Sequence, residues 1–243
     1  MKAVVIHGAH DLRIESMAPA AAPAQGEVQV HVANGGICGS DLHYYLHGGF
    51  GAIRIREPMA LGHEVSGVVS AIGDGVEGLE VGDKVAVNPS RPCTACDYCL
   101  RGQPNQCLDM RFNGSAMRMP HEQGLFRAAL TLPATLVERF APEADLAFAA
   151  MTEPLAVCLH AVRQAGSLVG KTVLVAGSGP IGCLTIAAAR LAGATRIIAT
   201  DISDTPLGVA RKMGAHDTIN LDTTPEGLEP FQRDKGQIDV SFE

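Results

Sequence analysis

The pattern of apolar and polar positions changes character near residue 150. In the first part, short runs with alternating apolar residues are separated by Gly, Pro and Asn clusters, which is typical of a sheet-rich unit. The spacing of these runs predicts a barrel-like or sandwich-like domain over residues 1–150. Its predicted strands are Lys2–Ile6, Glu27–Val32, Val65–Ile72 and Lys84–Val87.

From about Pro154 onward, helical and strand patterns alternate, and strands joined by crossover helices form a parallel sheet. We therefore predict a second, α/β domain over residues 151–243. The chain ends on a strand pattern, and because doubly wound sheets normally continue, we expect it to be truncated at its C-terminus. The predicted elements are helix Pro154–Gln164, strand Thr172–Ala176, helix Pro180–Leu191, strand Arg196–Thr200, helix Thr205–Met213, a strand near Thr218–Asn220 and the terminal strand Gln237–Glu243.

Composition narrows the class of function. The 243 residues carry a formal net charge of −7, and the absence of a basic stripe argues against a nucleic-acid partner. No run approaches the roughly 18–20 apolar residues that a membrane helix needs. The N-terminus also lacks the apolar core of a signal peptide. We therefore expect a cytoplasmic protein that acts on a small molecule, without a membrane or nucleic-acid partner.

Four of the seven cysteines, Cys93, Cys96, Cys99 and Cys107, lie close together along the chain. Their spacing, C-x2-C-x2-C-x7-C, allows one loop to close around a single tetrahedral ion. In a reducing compartment this pattern favours a metal over disulfides. Four protein ligands leave no open position, so the zinc ion predicted here is structural. Disulfide-linked or packed cysteines and an iron–sulfur cluster are the alternatives.

A second set of metal-binding residue types is spread along the chain. Cys38 occurs in GICGSDLH, His63 and Glu64 in GHE, and Glu153 in TEP. Each residue type can ligate zinc, and three protein ligands with one open position form a catalytic zinc site. Taken singly, each is a weak signal, because a lone cysteine or histidine is more often a core residue or a surface hydrogen-bonding residue. Spacing alone does not show that they converge.

A glycine-rich turn follows the predicted strand Thr172–Ala176 and opens the next helix. In this context, G-x-G-x-x-G allows a pyrophosphate to approach the helix N-terminus. An aspartate nineteen positions after the last glycine would bind the ribose, and its charge would repel a 2′-phosphate, which favours NAD over NADP. The alternative is a glycine-rich turn in a nucleotide-free domain. The predicted NAD-binding residues are Gly177, Gly179, Pro180, Ile181, Gly182 and Asp201.

Together these motifs resemble the zinc-containing medium-chain alcohol dehydrogenases over nearly the whole chain. The segments that carry the resemblance are GGICGSDLHYY, LGHEVSGVV, the four-cysteine loop, TEPLAV and GSGPIG. TEPLAV and HYY are similar to the polyol dehydrogenase branch. VNPSRPCTACDYC, NQCLDMRFNGSAM and IDVSFE are similar to members that oxidise a sugar acid at its fifth carbon. The resemblance implies a GroES-like catalytic domain and a Rossmann NAD-binding domain, with the active site between them.

The resemblance also implies a ligand set for the catalytic zinc. Cys38 and His63 would bind the ion, while Glu64 and Glu153 compete for the remaining protein position. The sequence does not choose between these two glutamates, and both therefore stand as candidate metal ligands and candidate catalytic residues.

Other residues acquire roles by the same resemblance. Ser40 would bind the substrate hydroxyl, His43 would relay its proton to solvent, and Asp41 would orient the histidine ligand of the zinc. An acidic substrate also needs a cationic partner. Arg111 is the preferred candidate among the four arginines near the recognisable segments, which are Arg54, Arg56, Arg111 and Arg118.

The predicted function is hydride transfer from a secondary alcohol of a sugar acid or polyol to NAD. It would require two zinc ions, one catalytic and one structural, and a homo-oligomeric assembly at full length. The alternatives are a sorbitol-, xylitol- or threonine-type dehydrogenase, a truncated relative without catalysis, and a zinc-ribbon adaptor.

Overall fold

The structure, a computed structural model, describes residues 1–243. The chain forms two compact units, unit 1 (Met1–Glu153) and unit 2 (Pro154–Glu243). The domain boundary expected from the sequence, at residue 150, lies three residues before this division. None of the helices combines the length and the apolar character required to cross a membrane.

Unit 1 is built mainly from short strands, with three helices between them. Its strands are β1 Lys2–Gly8, β2 Asp11–Ser16, β3 Glu27–Gly36, β4 Gly49–Phe50, β5 Ile53–Arg54, β6 Met59–Ala60, β7 Glu64–Ile72, β8 Lys84–Val87, β9 Ser90–Arg91, β10 Arg111–Phe112, β11 Ala129–Pro133 and β12 Val137–Arg139. Its helices are α1 Gly39–His47, α2 Asp97–Leu100 and α3 Leu146–Ala150, and it has 3₁₀ turns at Pro104–Gln106 and Ala134–Leu136.

The largest sheet of unit 1 has five antiparallel strands in the order β11-β3-β7-β8-β12. On β3, Val28 and Val30 are fully buried, whereas Gln29 and His31 between and after them are not. This alternation follows from the two-residue period of a strand. The buried face of the sheet is rich in valine and leucine, with Val65, Val69, Val85, Val87, Leu125, Leu130 and Leu132 in one cluster.

Strand β3 continues past the predicted end at Val32, as far as Gly36. The added residues have no alternating pattern, but their backbone pairs with β7, where Gly36 lies opposite Glu64. A Cβ atom on Gly36 would lie 2.1 Å from Oε2 of Glu64, so glycine is required for this close approach. The extended pairing brings the chain after β3 next to the start of β7.

Helix α1 begins directly after β3 and was not predicted from the hydrophobic pattern. Cys38 is its N-cap, and the Asp41 carboxylate accepts the N–H of Cys38 at 3.1 Å in a capping box. The helix ends at Gly48, which has a φ of 68°. Cysteine is not among the residues preferred at an N-cap, so no N-cap residue in this segment indicated the start of a helix.

Unit 2 contains a parallel sheet with the strand order β15-β14-β13-β16. All six elements predicted between Pro154 and Asn220 are present, with ends that differ by at most two residues. The terminal strand is shorter than predicted and pairs with β13. The elements are α4 Thr152–Gln164, β13 Thr172–Ala176, α5 Pro180–Leu191, β14 Arg196–Asp201, α6 Asp204–Met213, β15 Asp217–Asn220, a 3₁₀ turn at Glu229–Gln232 and β16 Val240–Phe242.

The core of unit 2 lies between its sheet and its helices. Ile186 on α5 and Ile197 on β14 are fully buried, and Cys158 and Cys183 belong to the same cluster. The first strand, β13, lies inside the sheet, with later strands on both sides of it. This order is typical of doubly wound sheets that bind nucleotides beyond the carboxyl ends of their strands.

Candidate metal centres and nucleotide-binding turn

Three potential metal ligands from two separate segments of unit 1 converge between the end of β3 and the start of β7. The ligand atoms of Cys38, His63 and Glu64 all lie within 4.8 Å of one another. His63 is 5% exposed and Glu64 is 7% exposed. The cluster therefore combines a thiol, an imidazole and a carboxylate in a largely buried position.

The pKa values of the groups in this cluster depend on one another. A hydrogen bond with His63 is the main cause of a lowered pKa of Cys38. Burial alone would lower the pKa of His63, but the Cys38 thiol and the Asp41 carboxylate outweigh it and raise the pKa. Burial raises the pKa of Glu64. Each group thus depends on the charge of its neighbours, as expected where a cation can bind.

Asp41 lies behind the cluster and is 3% exposed. Besides the N–H of Cys38, its carboxylate accepts the N–H of Gly62 at 3.3 Å. Its Oδ1 atom lies 4.0 Å from Nδ1 of His63, and that buried ring nitrogen has no hydrogen-bond partner. Asp41 therefore faces the imidazole of His63 from behind without a hydrogen bond to it.

The donor set fits zinc. Cysteine sulfur, histidine nitrogen and carboxylate oxygen are its usual ligands, and three of them leave one position open. The closeness of the three ligand atoms and the glycine that admits the Glu64 carboxylate are consistent with a site shaped around these donors.

The two candidate glutamates are placed differently. Glu64 belongs to the mutually close group of ligand atoms, and Glu153, in the first turn of α4, does not. The charge of Glu153 still contributes to the raised pKa of His63. Burial also raises the pKa of Glu153 itself. The geometry therefore favours Glu64 as the third ligand, with Glu153 near the cluster but outside it.

Ser40 and His43 both lie on α1, three residues apart, which places them on neighbouring positions of the helix surface. The Ser40 hydroxyl hydrogen-bonds the sulfur of Cys38 and contributes to the lowered pKa of that thiol. His43 is exposed, and its ring centroid lies 6.0 Å from that of Phe50. Ser40 is thus beside the cluster and His43 is open to water.

The structure adds Phe112 to this neighbourhood, a residue that the sequence did not single out. Its ring centroid lies 5.3 Å from that of His63. Its predecessor on β10, Arg111, extends to the opposite side of the strand, where its Nη1 atom lies 2.6 Å from Oε1 of Glu122. Arg111 is therefore paired with Glu122 in this structure, and its role as the cationic partner of an acidic substrate stays a prediction.

The four-cysteine loop forms a second group. The sulfur atoms of Cys93, Cys96, Cys99 and Cys107 lie within 4.8 Å of one another. None of these four cysteines forms a disulfide, and the Cys96 and Cys99 sulfurs are 3.6 Å apart, far beyond the disulfide bond length. The predicted alternative of disulfide-linked cysteines is therefore wrong for this structure.

Backbone N–H groups point at the sulfur atoms of this loop. The N–H of Cys93 donates to the Cys107 sulfur at 3.1 Å, and the N–H of Cys96 donates to the Cys93 sulfur at 3.3 Å. N–H groups of Cys99 and Leu108 lower the pKa of Cys96 to about 6. These donors stabilise thiolates, which are the form that binds a metal.

In unit 2, the glycine-rich turn has the geometry that its sequence implies. Gly177 has a φ of 84°, a conformation that favours glycine. Gly179 is the N-cap of α5 and provides no side-chain cap, so the first N–H groups of this helix are free to bind an anion. A Cβ atom on Gly182 would lie 1.9 Å from the carbonyl oxygen of Gly177. Pro180 and Ile181 are the first two residues of the helix.

Asp201 ends β14 next to this turn. Its Oδ2 atom accepts the N–H of Ser178 at 2.8 Å, and its Oδ1 atom accepts the N–H groups of Ile202 and Ser203 at 2.8 and 3.1 Å. These bonds fix the carboxylate at the carboxyl end of the sheet, beside the start of α5.

Comparison with known proteins agrees with both units. Residues 24–142 match the family model described as alcohol dehydrogenase GroES-like domain, and residues 180–243 match the model described as zinc-binding dehydrogenase. The chain belongs to the zinc-containing medium-chain alcohol dehydrogenase family. The predicted family and the predicted fold class, a GroES-like domain followed by a Rossmann domain, are confirmed.

Individual relatives fall in the polyol branch. The chain is 44% identical to L-idonate 5-dehydrogenase (NAD(P)(+)) of Escherichia coli over 88% of this chain and 61% of the relative. It is 36% identical to sorbitol dehydrogenase of Bacillus subtilis over 100% of this chain and 68% of the relative. The crystal structure of E. coli L-idonate 5-dehydrogenase superimposes with a TM-score of 0.91 at 40% identity, covering 100% of this chain and 68% of that one. The chain thus spans about three fifths of the length of the first of these relatives.

Proposed function

We propose that this protein oxidises a secondary alcohol of a sugar acid or polyol and transfers the hydride to NAD. The observation that carries the proposal is the convergence of Cys38, His63 and Glu64 beside a serine and an exposed histidine on one helix. In this proposal residues 1–150 form the catalytic zinc domain and residues 151–243 form the NAD-binding domain.

The proposed metal content is one catalytic and one structural zinc ion. Cys38, His63 and Glu64 would hold the first, and the four loop cysteines, Cys93, Cys96, Cys99 and Cys107, would hold the second. The catalytic ion supplies Lewis acidity, which makes the loss of a hydroxyl proton accessible near neutral pH.

Two residues of α1, Ser40 and His43, would then transfer this proton to water. Ser40, beside the Cys38 sulfur, accepts it from the substrate hydroxyl, and His43 passes it to water because its ring is exposed. Such positioned proton transfer contributes typically ~10²–10⁴-fold to a rate. Asp41 holds the orientation of His63 from behind, and Glu153 adds negative charge near the same imidazole.

Binding of NAD is assigned to unit 2. The free N–H groups at the start of α5 would bind the pyrophosphate, and Gly177, Gly179 and Gly182 allow its close approach. The Asp201 carboxylate would accept hydrogen bonds from the ribose hydroxyls and repel a 2′-phosphate. NAD is therefore the preferred cofactor in this proposal, although the name of the E. coli relative includes both NAD and NADP.

Among substrates, we propose L-idonate, which would be oxidised at C5 to 5-dehydrogluconate. The identity to L-idonate 5-dehydrogenase exceeds the identity to sorbitol dehydrogenase, 44% against 36%. A sorbitol- or xylitol-type activity is the second candidate, because sorbitol dehydrogenase and probable D-xylulose reductases are also similar to this chain.

The test is an NAD-reduction assay on zinc-loaded protein with L-idonate, sorbitol and L-threonine. We expect the highest kcat/KM with L-idonate and a lower value with NADP in place of NAD. A higher kcat/KM with sorbitol would reject the sugar-acid assignment and keep the polyol class. Absence of turnover with all three substrates would contradict the proposed function. A cytoplasmic location and a homo-oligomeric state stay predictions from the sequence.

A further inference from the structure

Unit 1 contains a cavity beside β10 that none of Cys38, His63 and Glu64 lines. It has a volume of about 480 Å³, and Arg111 contributes to its lining. Phe112, the next residue on β10, instead packs against His63. Because side chains alternate across a strand, these two residues face different sites. The cavity is therefore separate from the candidate catalytic centre.

The charged lining of this cavity is dominated by arginines. Arg91, Arg111 and Arg127 all line it, together with the acidic residues Glu27 and Glu122. Glu122 is only 9% exposed, and each of its carboxylate oxygens is paired with one arginine, Oε2 with Arg91 and Oε1 with Arg111. One buried carboxylate is thus shared by two guanidinium groups, which leaves an excess of positive charge.

Arg127 has no counter-charge in the structure. No carboxylate lies within 4.0 Å of its guanidinium, whereas Arg91 and Arg111 both have one. Its Nε atom is buried without a hydrogen-bond partner, and the same is true of Nε in Arg91. Burial and the neighbouring Arg91 lower the pKa of Arg127. The remaining acid, Glu27, uses Oε2 to accept the N–H of Ala24.

We propose that this cavity binds a small oxyanion, a carboxylate or phosphate group, held by Arg127 together with Arg91. Guanidinium groups match the geometry of such oxyanions and form charge-assisted hydrogen bonds with them. The volume is in the range of small-molecule sites. Leu125, Leu130 and Leu132 also line the cavity and would contact the carbon skeleton of an organic anion.

Isothermal titration calorimetry at constant ionic strength tests the site with two probes, inorganic phosphate and D-gluconate. We expect at least one of them to bind with a Kd of about 1 mM or tighter. Arg127→Gln should weaken this binding about ten-fold or more, because a charged donor is lost. Glu122→Gln should tighten it, because Arg91 and Arg111 lose their internal counter-charge. Arg163→Gln, an exposed arginine of unit 2 without an ion pair, is the matched control and should leave binding unchanged.

Arg127→Gln and Glu122→Gln are expected to change the affinity in opposite directions, so either variant tests the proposal if the other folds poorly. Binding of phosphate alone would identify a phosphate group as the ligand chemistry, and binding of gluconate alone would identify a carboxylate. The same binding in Cys38→Ser would place the anion away from the zinc ligands, whatever the outcome of the dehydrogenase assay. Failure of both probes to bind would overturn the proposal. Unchanged affinity in both Arg127→Gln and Glu122→Gln would overturn it as well.

Discussion

The two groups of metal-binding residues in unit 1 are built in opposite ways. The loop cysteines come from one short segment, are partly exposed and receive hydrogen bonds from the backbone of the same loop. Cys38 and the neighbouring pair His63 and Glu64 come from two distant segments, which the pairing of β3 with β7 and the hydrogen bonds of Asp41 bring together. We infer that the loop depends on its metal for its fold, whereas the sheet forms the catalytic cluster with or without the ion.

The largest expected effect is on the stability of the loop. Cys96→Ser should remove the loop zinc and lower the free energy of unfolding by about 4 kcal/mol or more, since structural zinc sites contribute directly to folding. Denaturant unfolding followed by circular dichroism measures this change. Cys38→Ser is the control and should change the free energy of unfolding by about 1 kcal/mol or less. Equal destabilisation by the two variants would remove the distinction between the sites.

Activity should show the reverse pattern. Cys38→Ser should reduce kcat/KM for NAD reduction about 10³-fold, because the zinc contributes several kcal/mol to the transition state. NAD affinity should not change, because the glycine-rich turn belongs to unit 2. Steady-state kinetics and NAD titration by fluorescence provide both values. Retention of full activity in this variant would reject the catalytic ligand set.

The third comparison separates the two glutamates. Glu64→Gln should raise the zinc dissociation constant of the cluster by about 100-fold or more, because even the loss of a partner behind a metal ligand typically costs 10–100-fold. Glu153→Gln should have a smaller effect, because its carboxylate lies outside the group of close ligand atoms. Competition with a chromophoric chelator measures both constants. A larger loss in Glu153→Gln would make that residue the ligand and Glu64 the neighbour.

The smallest expected effect concerns the glycine opposite Glu64. Gly36→Ala would place a methyl group 2.1 Å from Oε2 of Glu64, so the carboxylate must move, and we expect about a ten-fold weaker zinc site. Gly39→Ala is the matched control, because a Cβ there meets nothing within 4 Å. The same chelator competition applies. Identical affinities in the two variants would show that the close approach at Gly36 does not shape the site.

The same contrast explains what could be predicted from the sequence. The four-cysteine loop and the glycine-rich turn each lie within one short stretch of sequence. The spacing of their residues alone therefore predicted a metal site and a nucleotide-binding turn. The six elements of unit 2 between Pro154 and Asn220 were predicted to within two residues because these helices and strands have clear periodicity. A sequence pattern is sufficient to predict a site or an element when all of its residues lie in one short segment.

The catalytic cluster could be inferred only through the family resemblance. Its assembly depends on the pairing of Gly36 with Glu64, which lies in a glycine-rich segment without a strand pattern. Arg111 is paired with Glu122, eleven residues away, and no sequence spacing rule predicts such a pair. The closeness of Glu64 to Cys38 and His63, and the pairing of Arg111 with Glu122, therefore became visible only in the three-dimensional structure.

The most direct test of the two-site account is elemental analysis of the purified protein and its two cysteine variants. The account predicts two zinc ions per chain in the unmodified protein and one in each of Cys38→Ser and Cys96→Ser. A single zinc ion in the unmodified protein, or iron in place of zinc in the loop, would contradict the account. So would the loss of both ions in Cys38→Ser.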